Sequence, residues 1–149
     1  MPVPFWAGRY IGLTFREHGR DRSGLDCWGL VRLVLAEQAG IALPSFSNEY
    51  TGTADHRATS AIVERETATS WRRVAETRAA LFDVVVLRMR GAPSHVGLVL
   101  GDTHMLHIER GIDSAIENYA SARWASRIYG FYRYRISLDD LEGFDEDAE

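Results

Sequence analysis

Three residues of this 149-residue chain, Cys27, His95 and His107, have the types and settings needed for nucleophile, base and orienting group. Cys27 is the only cysteine. It follows Asp26, a good helix N-cap, and precedes apolar residues at Leu30, Val31, Val34 and Leu35, whose spacing is helical. Cys27 is therefore expected to open a helix. There a thiolate faces the positive end of the helix dipole and free backbone N–H groups, which lower a thiol's pKa and can bind an oxyanion. A thiol so activated should be alkylated rapidly near neutral pH. His95 begins the run His-Val-Gly-Leu-Val-Leu, where period-2 alternation sets His95, Gly97 and Val99 on one face and Val96, Leu98 and Leu100 on the other. A base on a rigid strand, beside a glycine that leaves room, has the fixed geometry that proton transfer needs. The next run carries His104 and His107, which are three apart and so point to opposite faces; only one can join His95. His107 lies between Leu106 and Ile108, deeper in the strand than the turn-proximal His104. It can fix the tautomer of His95.

Plainer readings compete. Free cysteine is among the most buried residue types, and a lone strand histidine is more often a core residue with satisfied hydrogen bonds. Cys27, His95, His107 and Glu109 could nominally ligate zinc, but neither HxxxH nor CxxC spacing is present, so no metal or cofactor is expected.

The positioning elements follow from the same patterns. Phe5 to Phe15 mixes aromatic and small residues at helical spacing and suggests a short first helix. The polar, glycine-punctuated segment 16–24 reads as a loop, and His18 within it could approach the site. The cysteine helix should end near Gly40, with Pro44 forbidding continuation. Residues 45–60 read as a surface loop with Tyr50 as an anchor, overlapping a weakly amphipathic helix from Ala54 to Thr67. From Trp71 the period changes. Runs at Phe82–Met89, Ser94–Leu100 and Thr103–Glu109, separated by turn sequences, predict an antiparallel meander. A short helix, Glu117–Ala125, and a last strand, Ile128–Ile136, complete it. Helices first and a sheet second imply an α+β fold, N-terminal helices packed on an antiparallel β-sheet.

A chain of this length with 46% hydrophobic residues makes one compact domain. All 17 basic residues are arginines, scattered rather than clustered, so no nucleic-acid partner is expected. No apolar run approaches the roughly 18 residues that span a bilayer, and the start has no export-signal pattern, so no membrane insertion is expected. Residues 139–149 carry seven acids and no base, leaving residues 1–138 at +3 within a net charge of −4. That division gives a domain over 1–138 and an acidic tail over 139–149 of the solvated, disordered kind.

The segments Gly24–Val31, Phe82–Val85, Ser94–Gly101 and Met105–His107 resemble the successive motifs of the NlpC-like cell-wall cysteine peptidases. The variant most similar is the phage tail tip assembly type, in which the residue after the cysteine is often not serine; here it is Trp28. The resemblance implies a papain-like fold, with Cys27 as nucleophile, His95 as base and His107 as orienting residue. It implies hydrolysis of amide bonds in peptidoglycan stem peptides or crosslinks. Bacterial peptidoglycan and phage tail tip or hub proteins are the implied partners, with synthesis in the host cytoplasm and incorporation in the virion tail. Asp26, Trp28, Ser94, Phe15 and His18 are supporting or substrate-binding candidates. Two departures stand out. Many members have a tyrosine twelve residues before the cysteine, whose hydroxyl assists the oxyanion; this chain has Phe15. Where two glycines usually follow in that loop, it has His18-Gly19.

Overall fold

The computed structural model describes residues 2–135; the acidic tail and Ile136 lie outside that range. After a 3-10 helix (Phe5–Tyr10), two short strands, β1 (Arg20–Asp21) and β2 (Gly24–Leu25), form a small hairpin. Helix α1 (Cys27–Ala39) and helix α2 (His56–Thr69) come next. Six strands follow: β3 (Trp71–Val74), β4 (Val84–Met89), β5 (Ala92–Gly101), β6 (His104–Glu109), β7 (Ile112–Asn118) and β8 (Ile128–Tyr134). They form one antiparallel sheet in the order β3-β8-β4-β5-β6-β7. This is the α+β arrangement the sequence implied, helices on an antiparallel sheet.

Helix α1 is the organising element. The Asp26 side chain caps it by accepting the N–H of Gly29 at 2.9 Å, and Gly40 closes it in the left-handed conformation at φ +68°, its N–H bonded to Leu35 O. Its buried residues Leu30, Val31, Val34 and Leu35 meet Val84, Val86, Val96, Leu98, Leu100, Leu106 and Ile108 from one face of the sheet. Burying side chains of this size stabilises the fold by about 1.5–3 kcal/mol each. Gly29 is required by close approach: a Cβ there would lie 2.0 Å from the Gly19 carbonyl oxygen, so α1 rests directly on the loop before it. On the opposite face, Val85, Leu87, Val99, Met105 and Phe131 are covered by Tyr119 and Trp124 from the β7–β8 connection. Helix α2 lies across β5 and β3 and buries none of its residues, in keeping with its weak amphipathic pattern.

Three sequence expectations are corrected. Phe5 to Phe15 is not one helix: 3-10 geometry ends at Tyr10, and Phe15 bridges to Leu25. Residues Glu117 to Ala125 are not helical, because Glu117 and Asn118 end β7 and only Ala125–Arg127 forms a 3-10 turn. The sheet is not a simple meander either, since β8 returns between β3 and β4. Strands β3 and β7 lie at the sheet's two edges, where few side chains are buried, so alternation in them is weak.

Candidate active site

Cys27 stands at the first turn of α1, 7% exposed. Strand β6 pairs with β5 from Leu98 onward, which leaves the first half of β5 to face the start of α1. The backbone N–H groups of Val96 and Trp28 both donate to the Cys27 sulfur. Burial nevertheless pushes the thiol up to about 12, and the adjacent Asp26 carboxylate adds to the rise; the two N–H groups and Arg20 oppose it. The expectation of a thiol lowered by the helix terminus is thus reversed. A helix end supplies about 0.3–1 kcal/mol, less than the ~1.36 kcal/mol of one pKa unit, and full burial outweighs it. The free protein should accordingly be alkylated slowly at neutral pH, contrary to the rapid reaction read from the sequence.

His95, opposite Leu87 on β5, is 6% exposed, and His107 on β6 is 2% exposed. Both point to the face that carries Val99 and Met105, as the period-2 reading required, and they meet there: His95 Nε2 lies 2.9 Å from His107 Nδ1. Gly97 makes room for this pair. A Cβ at that position would press to 3.1 Å from the Met105 sulfur and 3.4 Å from His107 Cβ. Burial, the neighbouring His107 and the charges of Arg123 and Arg127 lower His95 to about 3. At rest the Cys27 thiol and the His95 imidazole are therefore both neutral.

That low value has a measurable consequence. An unfolded histidine binds a proton below about pH 6.5, whereas folded His95 waits until about pH 3. Between these values the unfolded state holds more protons, so stability falls as pH falls. Over pH 6 to 4 the protein should lose about 1.4 kcal/mol per pH unit more than a His95→Gln variant. Urea titrations of both proteins across that range check this; parallel slopes would contradict it.

Three residues that the sequence reading left out complete the surroundings. His107 Nε2 lies 2.8 Å from Glu117 Oε2 on β7. Trp124, fully buried, stacks on His95 at 5.9 Å, meets His107 edge-on at 5.1 Å, and donates its indole N–H to Glu117 at 2.9 Å. Arg123 bonds both Glu109 and Glu117. The register Met105↔Glu117 places Glu117 on the His107 face, a position readable only once residues 112–118 are known to be a strand. His107, Glu109 and Glu117 come close enough to share a cation. The guanidinium of Arg123 already sits on both carboxylates and offsets one of their two charges.

The supporting candidates separate. Asp26, fully buried, accepts from Gly29 N–H, from Arg20 at 2.8 Å, from His18 N–H at 3.1 Å and from the Tyr50 hydroxyl. It holds α1, the preceding loop and Tyr50 together. His18 does not line the clefts at Cys27; its ring Nε2 lies 2.8 Å from Tyr50 O. Two clefts meet at Cys27, Ser94 and Thr53. One is apolar, walled by Trp28, Phe46, Tyr50, Ile62, Val63 and Trp71. The other holds His95, Phe15, His56, Arg90, Glu109 and Arg110. Trp28 donates its indole N–H to Pro44 O at 2.9 Å.

Few helices packed on an antiparallel sheet, with a cysteine at a helix start sharing a cleft with a strand histidine, match the α+β papain-like fold. The NlpC/P60 family pattern matches residues 12–133, and the chain belongs to that family. It is 24% identical over 116 residues to the Escherichia coli K12 murein DD-endopeptidase MepS/murein LD-carboxypeptidase, covering 78% of this chain and 53% of the relative. The chain thus spans about half the length of the curated relatives it matches. Among solved structures, the NlpC/p60 domain of the peptidoglycan hydrolase SagA superposes with TM-score 0.54 at 24% identity, covering 85% of this chain and 90% of that one. An NlpC/P60 family protein from Bacillus cereus gives TM-score 0.63 at 17% identity, covering 89% of this chain and 41% of that one. These likenesses show a shared fold, and the family points to cell-wall peptidase activity.

Proposed function

We propose that the chain is a cysteine endopeptidase, with a Cys27–His95–His107 site, that hydrolyses amide bonds in peptidoglycan stem peptides or crosslinks. The observation that carries this reading is the opening of Cys27 and His95 onto one cleft at the start of α1. With Nε2 of His95 engaged by His107, Nδ1 is the nitrogen left for the thiol. In the proposed reaction Nδ1 takes the thiol proton as the sulfur attacks the amide carbon, because a resting thiol near 12 is ionised only in step with attack. The Asp26 cap takes the N–H of Gly29, so the N–H of Cys27 stays outside it and can meet the oxyanion. His95 then returns the proton to the leaving amine, and water hydrolyses the thioester. The apolar cleft takes one side of the scissile bond and the cleft with Arg90 and Arg110 takes the other. Mass spectrometry of purified muropeptides incubated with the protein tests the reading: new fragments support it, and unchanged muropeptides oppose it.

Phe15 lines the cleft of Cys27 and His95 but has no hydroxyl to donate. A Phe15→Tyr variant should raise kcat by up to about 10²-fold by adding an oxyanion donor, measured on the same muropeptides. An unchanged rate would show that this position does not reach the oxyanion.

We further propose that the protein acts as a phage tail tip component aiding wall penetration, made in the host cytoplasm and built into the virion beside hub proteins. The support is the motif resemblance, with Trp28 after the cysteine. A second reading, a tail assembly module that keeps the fold with little or no activity, is favoured by Phe15 and by the high thiol value. Cys27→Ala particles separate the two: assembly with failure to breach the wall supports the enzyme, and undiminished infection supports the module.

A further inference from the structure

The chain of hydrogen bonds behind His95 runs past His107 to a carboxylate, and its direction can be worked out from proton inventory. Glu117 is ionised at neutral pH. Burial alone would raise its pKa, but hydrogen bonds from Trp124 and His107 and the charge of Arg123 hold it below the usual carboxylate range. An ionised carboxylate only accepts. The contact at 2.8 Å therefore requires a proton on His107 Nε2, and in the singly protonated ring that leaves Nδ1 as a lone pair. The 2.9 Å contact to His95 then requires a proton on His95 Nε2. Nδ1 of His95, the nitrogen left for the thiol, is consequently free to accept.

We propose that Glu117 is a positioning residue that sets both imidazole tautomers, so that Nδ1 of His95, the nitrogen not bonded to His107, is always the unprotonated one. This rests on the proposed roles of Cys27 and His95. The groups facing the relay are His95 on β5, His107 and Glu109 on β6, Glu117 on β7, and Arg123, Trp124 and Arg127 on the β7–β8 connection. Arg123 and Trp124 both donate to Glu117, so its orientation is held independently of the histidines. When His95 takes the thiol proton, both of its nitrogens donate, and the positive charge is stabilised through His107 by the Glu117 carboxylate. No proton needs to leave His107.

A glutamine at position 117 separates this role from a structural one. Its carbonyl can keep the bonds from Trp124 and Arg123, while its NH₂ faces His107 Nε2 and donates to it. The relay then reverses: His107 carries its proton on Nδ1 and gives it to His95 Nε2, and the proton of His95 moves to Nδ1, where it blocks the base. Glu117→Gln should lower kcat by about 10²- to 10⁴-fold with little change in KM, more than Glu117→Ala, which leaves the tautomers unbiased, and Glu117→Asp should retain the most activity. A role confined to packing gives the opposite order, with Gln mildest.

The direct readout is ¹⁵N NMR of the ring nitrogens in the full chain, which needs no substrate. The expected result is Nε2–H at both His95 and His107 in the parent protein and Nδ1–H at both in Glu117→Gln. Unchanged tautomers in that variant, or Nδ1–H at His107 in the parent, would overturn the inference. If the tautomers switch as expected while the parent cleaves no muropeptide, the relay stands and the proposed peptidase function fails instead.

Discussion

Replacing Cys27 with alanine is expected to lower amide hydrolysis by about 10⁵- to 10⁶-fold, the scale seen when a nucleophile is removed from an acyl-transfer site. The fold should survive. The side chain is small and packs within the apolar cluster of α1 and the sheet, so the truncation loses one sulfur's contacts and costs on the order of 1 kcal/mol. The two effects are separable by measuring muropeptide turnover and urea unfolding on the same preparation. Because the thiol sits near 12 before substrate arrives, Cys27→Ser should be almost as inactive as Cys27→Ala: a hydroxyl is a still poorer acid, and His95 is lowered to about 3 and so is a weak base. Turnover in Cys27→Ala within 10-fold of the parent, on the scale of ~1.4 kcal/mol, would mean that another group attacks the amide.

Replacing Asp26 with alanine should cost about 3–5 kcal/mol, the range found when one partner of a buried ion pair is removed. Arg20 is only 15% exposed and would lose its carboxylate, and the N–H groups of Gly29 and His18 and the Tyr50 hydroxyl would lose their acceptor. Removal of the N-cap alone accounts for about 1 kcal/mol of the total. A fall in Tm of about 6–20 °C is expected. Activity should fall as well at temperatures where the protein remains folded, because the first turn of α1 carries Cys27 and the capping contacts fix its entry angle. A loss below about 1 kcal/mol would show that the remaining contacts of the loop hold the helix start without Asp26.

The contrast between these residues and Glu117 explains how much of the molecule its sequence reveals. Asp26, the apolar spacing after Cys27 and Gly40 act within a few residues of each other, so α1 and its cap can be read locally. The same holds for β4, β5 and β6, which read as β-branched or apolar runs between turn sequences, and period-2 geometry sets His107 and His104 on opposite faces. Glu117 depends on a strand register at a sheet edge, where residues 112–118 are too exposed to show a clear period. The raised pKa of Cys27 departs from its sequence expectation for a related reason. The helix end is visible in sequence, but full burial beneath the loop and β5 is a tertiary effect and is the larger one. Strand β8, inserted between β3 and β4, pairs with segments more than forty residues away, a pairing that no local pattern encodes.

Trapping the acyl-enzyme tests the central chemistry most directly. Muropeptide and protein are mixed, quenched in acid within one turnover, and digested for mass spectrometry. The expected result is an acyl fragment of the stem peptide joined to the peptide that contains Cys27, absent from Cys27→Ala and accumulating when deacylation is slowed. Full amide cleavage with no adduct on Cys27 at any quench time, retained in Cys27→Ala, would contradict the proposed chemistry.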